Sequence, residues 1–550
     1  GDGKAKITGT SKIVSYTIPN LTGLTDLMVP LGVNADLTKG TTLICENNTT
    51  TGCSITKISI TDTSSLAEGT YIVTYTVKGM NNKKYLFNRN VNITANLDIS
   101  GANIPDLVDG LIPVMYDGSK WVKADSKNRN STYQWYDYDN KLWANAVLVT
   151  ETNRSTYQSA SAGTTITESD ILAFYVWIPR YKYKVWNKDK VIGTASYDAY
   201  NLGIDIVFEN GKSTTGVINC NYDFTVSDDD ALSEICTGSN GDYYTHPAFT
   251  FGSDELRGIW IGKFEVSSSD PTADYGGDNT TNLTVRILPN VISWRPNNIS
   301  NFFTVIQNMQ ISDNIYGLNT SKAIIDSHML TNMEWGAVAY LTNSKYGRCT
   351  NDSCIEVSKN NCSSYITGIA GDTPTASGSS TTCTTAINKY NGTTGVLAST
   401  TGNITGIYDM NGGQTEYVMG NLSASKGSYT MPLGSTGFTS DWYTTATAKY
   451  VITYARPPQS TSSGGWGQIG YNRTRLGDAI GEVILNSSSN SNSWYSNYIS
   501  YLSYGNPWLQ RGGGYNNGTN YSSGLFYANG INAGTANYNY STHTALVSLE

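Results

Sequence analysis

The stretch RGGGYNNGTNYSSGLFYANGINAGTANYNYSTHTALV, Arg511 to Val547, restricts the fold of this chain more than any other. It is almost wholly Gly, Asn, Tyr, Ser, Thr and Ala, with Leu525, Phe526, Ile531, Leu546 and Val547 as scattered apolar residues. So little apolar surface does not offset the entropy of ordering a chain, so the stretch folds only if those few residues pin it to a scaffold. Once pinned, it presents Tyr rings as rigid amphipathic contact area and Asn, Ser and Gly as adaptable hydrogen-bonding groups, the chemistry of a paratope. The apolar punctuation and the alternating TALVS ending argue for anchoring at both ends rather than for a low-complexity loop.

At 550 residues the chain exceeds one ordinary core, and roughly two to four domains are expected. A net charge of −8 carried by a small charged fraction argues against nucleic acid or an anionic membrane as partner. The 39 tyrosines, with abundant Thr, Asn, Ser and Gly, read as β-rich and extracellular.

The cysteines are even in number and locally clustered: Cys45 and Cys53, Cys220 and Cys236, then Cys349, Cys354, Cys362 and Cys383. Four short loops account for them, which points to an oxidising compartment. Within the last four, Cys349 with Cys354 and Cys362 with Cys383 is the expected pairing, although their closeness leaves exchange open. No CxxC pair exists and only three histidines do, so a zinc site, or any resident metal or cofactor, is not expected. No apolar run approaches the roughly 20 residues that cross a bilayer, and no signal peptide is visible. The polar opening at Gly1 reads as a mature ectodomain whose targeting segment lies upstream.

Taken in order, residues 1–97 alternate in short runs (KIVSYTIP, TTLIC, ITKISIT, GTYIVTYTVKG, NVNIT) separated by turns, the pattern of an immunoglobulin-like β-sandwich spacer. Residues 98–168 are expected to be a small aromatic-rich β module of paired hairpins. Trp121, Trp135, Tyr136, Tyr138 and Trp143 there form either a carbohydrate-binding stripe or the module's own core, and the core is the simpler reading. Residues 169–550 make the third unit, an α+β ligand-binding domain with insertions. In it, 169–187 reads as one long strand with its basic IPRYKYK part facing outward on one side. Asn298–Gln310, capped by Asn298 or Ser300, and Ser327–Gly347 read as helices, the first helical spacing in the chain. Asp228, Asp229 and Asp230 read as a solvated turn.

The segment GNITGIYDMNGGQTEYVMGN, Gly402 to Asn421, resembles the central motif of the formylglycine-generating-enzyme-like branch of the C-type lectin fold. Gly402-Asn403, Gly406 to Met410 and Gly412 to Tyr417 follow in the family's order; Trp335 resembles its second helix and NPWLQRGGGY, Asn506 to Tyr515, its RGG element. The resemblance implies a scaffold of Trp335, Asp409, Glu416, Trp508, Arg511, Gly512, Gly513 and Phe526, with Asp409 and Glu416 pairing to Arg473, Arg475 or Arg511 in the core. The family's cysteine pair and its histidine-carboxylate iron site cannot be placed here, so catalysis is not expected and catalytic residues are none. The end of the chain also resembles variable proteins of diversity-generating retroelements, in which Asn codons convert to Tyr, Ser, Thr, Asp, Gly, Ala, His or Ile. That implies a hypervariable ligand-binding surface of Tyr515, Asn516, Asn517, Asn520, Tyr521, Tyr527, Asn529, Ile531, Asn532, Asn537, Tyr538, Asn539, Tyr540, Thr542 and His543. Thr542-His543-Thr544 stands where such proteins carry a Gly-Phe-Arg-like ending.

Together these readings give an extracellular adhesin on a bacterial cell surface or phage particle, binding a surface protein or glycan of another cell or host, with no nucleic acid and no membrane contact. The alternatives are a pilin-like filament subunit whose C-terminal surface contacts copies of itself and, more remotely, a glycan-processing enzyme using Asp409 and Glu416, which would need a shared cleft.

Overall fold

The computed structural model describes residues 18–24, 26–38, 40–94, 100–127, 131–193, 197–223, 226, 231–270, 281–371, 383, 388–422, 436–439, 441–455, 472–486, 493–502, 506–517 and 523–550. The protein is β-rich with few helices. It divides into two compact units, Gly1–Ile99 and Ser100–Glu550.

In the first unit the alternating runs pair as read. Gly69–Lys78 and Lys84–Thr94 form a long antiparallel ladder from Gly69↔Ile93 to Lys78↔Lys84. Ser54–Ile58 adds antiparallel on one side and Leu27–Pro30 parallel on the other. Asn20–Thr22 and Thr42–Ile44 make a separate pair. One face of the long ladder is apolar: Val73, Tyr75, Val91 and Ile93 pack with Leu21, Val29 and Leu37. The KIVSYTIP strand expected at 12–19 lies almost wholly outside the described residues.

The second unit corrects the division at residue 168. Ile112–Tyr116 and Trp121–Lys123 do form a hairpin, but they and Asn145–Val149 belong to one seven-stranded sheet. Its order is Ile325–Met329, Thr544–Ser548, Gly258–Gly262, Ile171–Pro179, Asn145–Val149, Ile112–Tyr116, Trp121–Lys123. Asn145–Val149 is buried on both faces, so it needs the Ile171–Pro179 strand beside it and has no module of its own to complete. The five aromatic residues of the supposed stripe are buried and bind that sheet to later segments. Trp121 Nε1 donates to Tyr390 Oη (3.0 Å), Tyr138 Oη to Trp177 O (2.8 Å) and Trp143 Nε1 to Tyr346 O (2.8 Å). They are core, not a sugar platform.

The strand read across 169–187 is two. It breaks after Pro179, where Arg180 turns into the interior to meet Glu209 (3.0 Å) and Glu255 (2.7 Å). Tyr181–Lys184 then joins a different sheet with Ile206–Phe208 and Tyr243–Thr245, and only there does one side face outward. Two short helices went unread, α1 (Glu151–Ser159) and α2 (Tyr197–Asn201). α1 buries only Tyr157, so it carries no apolar stripe to read. α3 (Ile299–Gln307) starts at Asn298, whose side chain accepts from Asn301 N. α4 is Asn332–Thr342, opened by a reciprocal Thr331–Glu334 capping box. Ser327, expected in α4, instead lies in the Ile325–Met329 strand, because that segment pairs with Thr544–Ser548.

A second sheet carries the end of the Gly402–Asn421 segment: Ile452–Tyr454, Thr415–Leu422, Trp508–Gly512 and Gly524–Asn532, with Tyr540–Ser541 alongside Thr415–Glu416. The cysteines pair as Cys45–Cys53, Cys220–Cys236, Cys349–Cys354 and Cys362–Cys383. No described helix is long and apolar enough to cross a membrane.

Candidate functional site

The scaffold residues are all buried, and their contacts show why the C-terminal stretch is ordered. Trp335 on α4 donates Nε1 to Leu525 O (2.8 Å). Arg511 reaches the same carbonyl (3.3 Å) and those of Asp478 and Ala479 (3.3 and 3.1 Å). Trp508 stacks with Phe438 and Phe526 packs on Trp494, so strands with few apolar residues are clamped by aromatic rings. Gly512 and Gly513, both at φ +74°, then turn the chain out of its strand onto the surface.

Two Tyr/Asn segments emerge from this frame and hang on one three-residue stretch. Tyr515 N donates to Gly413 O (2.7 Å), and Thr415 N donates to Asn539 O (2.8 Å). Lys359 Nζ fixes the first segment through Asn517 O (2.5 Å), and Arg295 Nη1 fixes the second through Tyr538 O (3.0 Å). Between them lies Tyr365. Its ring sits 3.2 Å from the Arg295 guanidinium and 5.2 Å, edge to face, from the ring of Tyr515.

Of the fifteen positions expected to bind ligand, Asn516, Asn537 and Tyr538 are exposed, and Tyr515, Asn517, Asn529, Asn539 and Tyr540 are half-buried. Asn529 bonds Ser500 Oγ (3.0 Å) on its strand, and Tyr540 packs against Tyr417. Four positions are corrected to interior roles. Tyr527 packs on Tyr498 within the Gly524–Asn532 strand. Asn532 accepts from Tyr417 Oη and Gly534 N, and Thr542 Oγ1 donates to Tyr417 O (2.8 Å). His543 lies in the core against Glu416. Tyr527 is interior because its strand is covered on both faces from Gly524 to Ala528; the others satisfy polar groups beneath the surface. Asn520, Tyr521 and the side chain of Ile531 lie outside the described residues.

Beneath the Gly413–Thr415 stretch is a buried acidic cluster in which Asp409 and Glu416, expected in the core, are joined by Glu265 and His543, which were not. Glu265, Asp409, Glu416 and His543 are all at or below 1% exposure. Asp409 accepts from Asn360 Nδ2 (2.8 Å) and Gly368 N (2.9 Å); Glu265 Oε1 accepts from Gln414 N (2.6 Å). The expected pairing of Asp409 and Glu416 with arginines is therefore replaced by amide donors and a histidine. Burial pushes the Glu265 carboxyl well above the usual range, and Asp409 and Glu416 push it further. Burial likewise raises Glu416, helped by Asp409, and raises Asp409 against the hydrogen bond from Asn360. Burial pulls His543 down to about 4. Asp409 and Glu416 touch no solvent, so they are not an accessible pair for glycoside chemistry. Arg295, Tyr365 and Glu265 were missed because they reach the site from distant segments; the only hint was Lys263 and Glu265 interrupting an apolar strand.

No family model matches the chain, and no curated protein matches it. Among solved structures it is similar to that of CBM51-2 in complex with GlcNAc and INT domains from Clostridium perfringens ZmpB, at 18% identity over 30% of this chain, with a TM-score of 0.12. The match spans 31% of that structure's chain.

Proposed function

We propose that this chain is an extracellular adhesin of a bacterial cell surface or phage particle. In this reading an immunoglobulin-like spacer carries a C-type-lectin-like head of the formylglycine-generating-enzyme-like branch, and the Tyr/Asn surface at its end binds a protein or glycan of another cell without catalysis. The observation that supports it is the convergence of both Tyr/Asn segments on Gly413–Thr415, with Asn516, Asn537 and Tyr538 exposed and Tyr515 half-buried beside it. Four disulfides fit an oxidising environment. Weak binding by one head becomes firm attachment when several act together.

The test is adherence of the purified chain to intact bacterial and host cells. Tyr515→Ser combined with Tyr538→Ser is expected to lower adherence at least tenfold, and Ile235→Ser, an exposed control, to leave it unchanged. Equal adherence of all three proteins would overturn the reading. Hypervariability has its own test, sequencing of the DNA for Arg511–Val547 across one population beside any template copy. Changes confined to template adenines support it, and an invariant segment without a template removes it.

A pilin-like subunit whose C-terminal surface contacts copies of itself is the second reading, and Ile72 and Leu86, 64% and 67% exposed on the outer face of the first unit's ladder, offer a further face for such contact. It predicts self-association in sedimentation that Ile72→Thr with Leu86→Thr abolishes.

A further inference from the structure

Tyr365 holds a left-handed backbone, φ 62°, which a bulky side chain adopts only at a cost of about 1 kcal/mol or more and which Asn or Gly adopts readily. The surrounding chain enforces it. Tyr365 N donates to Cys362 O (3.1 Å), Ser293 N donates to Tyr365 O (2.9 Å), and Cys362 is tied to Cys383. The ring does not go into the core in return. It is half-buried, with the buried Arg295 guanidinium packed against it and Tyr515 standing perpendicular to it. Arg295 also holds the Tyr538 carbonyl, so the ring meets the first Tyr/Asn segment through Tyr515 and the second through Arg295.

We infer that Tyr365 is a binding residue of the same surface, a fixed aromatic anchor supplied from outside the C-terminal stretch, and that the surface takes an uncharged glycan. The inference rests on the adhesin reading. Its chemistry follows from the groups presented: Tyr365, Tyr515 and Tyr538 offer rings, and Asn516, Asn537 and Asn539 offer amides that both donate and accept. None of these six is charged or aliphatic. Arg295 is buried on the Tyr365 ring and the Tyr538 carbonyl, and Lys359 bonds Asn517 O. A pyranose matches such a surface, because its C–H face packs on a ring while its hydroxyls exchange hydrogen bonds with amides. A protein interface uses the same Tyr rings but centres on Trp and Arg as well, and the six groups presented here include neither.

The experiment applies the whole chain to an array of neutral and acidic oligosaccharides and, separately, to intact cells before and after periodate oxidation or protease treatment. Binding to neutral oligosaccharides is expected, reduced at least tenfold by Tyr365→Asn and little changed by Tyr365→Phe. Asn suits the left-handed backbone, so a loss with Tyr365→Asn, at an unchanged melting temperature, reports the missing ring and not misfolding. Undiminished binding by Tyr365→Asn would overturn the anchor. Binding confined to acidic oligosaccharides, or to cells in a protease-sensitive and periodate-resistant manner, would overturn the ligand class while the adhesin reading stands. Binding to neither array nor cells would overturn both.

Discussion

His543 Nδ1 lies 2.5 Å from Glu416 Oε2, with neither side chain exposed to solvent. A residue that the resemblance to variable proteins assigns to the display surface thus closes the core beneath it. His543→Leu leaves Glu416 Oε2 without that partner in a dry interior and is expected to cost about 1–3 kcal/mol. Tyr538→Ser, at a side chain 60% exposed, is expected to stay within about 0.5 kcal/mol. Urea denaturation of the two variants checks the order; the reverse order would return His543 to the surface.

The contribution of Glu482 and His328 to stability is expected to fall between pH 6.5 and 9, against the opposite trend of Lys263 and Lys359, which burial pulls below the usual lysine range. Burial pushes Glu482 up to about 8, although Gly477 N, Tyr340 Oη and Tyr183 Oη all donate to it. Burial alone would lower His328, but Glu334 and Asp326 raise it to about 9. A folded state that holds these protons more tightly than the unfolded chain is fully stabilised below the unfolded values and loses that contribution as pH rises through 8 and 9. His543 and His246, held down to about 4 and 3, act oppositely, and only as pH falls below 6.5. The alkaline decline is therefore uncompensated by them, on the order of 2 kcal/mol from Glu482 alone. Melting temperatures across this range test it, and Glu482→Gln is expected to flatten the slope. A slope identical in the variant would remove Glu482 from the account.

Gly336→Ala is expected to destabilise the second unit by about 3 kcal/mol or more. A Cβ at this α4 position falls 1.8 Å from the Gly477 carbonyl oxygen, a backbone atom that cannot rotate away. Thermal denaturation measures the loss, and tryptophan fluorescence reports whether the neighbouring Trp335 environment changes with it. A variant as stable as the parent would mean that the two segments do not pack so closely.

Removing Cys362–Cys383 by paired Ser substitution is expected to cost about 3 kcal/mol, against about 2 for Cys349–Cys354. Sequence separations of 21 and 5 set that order through loop-closure entropy. Guanidinium melts of the two double variants give the comparison, and an inverted ranking would show that local packing outweighs chain entropy.

What the sequence conveyed follows from where the information is local. The ladder from Gly69 to Thr94 was legible because its alternation is strict, and α3 because Asn298 caps a clear apolar face. The separate module at 98–168 was misread because Trp121, Trp135 and Trp143 look alike whether they face a sugar or a neighbouring strand; only the partners Tyr390, Trp260 and Tyr346 decide. At the site, the exposure of Asn516, Asn537 and Tyr538 matched a composition argument, because polar loops lacking apolar residues stay outside. His543 and Glu265 did not, because a buried charge cluster is assembled from segments far apart in sequence and leaves no periodic trace.

The strand Thr544–Ser548 comes last in this sequence yet lies between Gly258–Gly262 and Ile325–Met329. Translation must therefore pass through the whole Tyr/Asn stretch before the seven-stranded sheet can close. A frameshift or stop anywhere from Arg511 onward withholds that strand and leaves the apolar edges around Trp260 and Met329 open to chaperones and proteases. Substitutions that preserve the reading frame keep the closing strand in the chain, whereas truncations remove it.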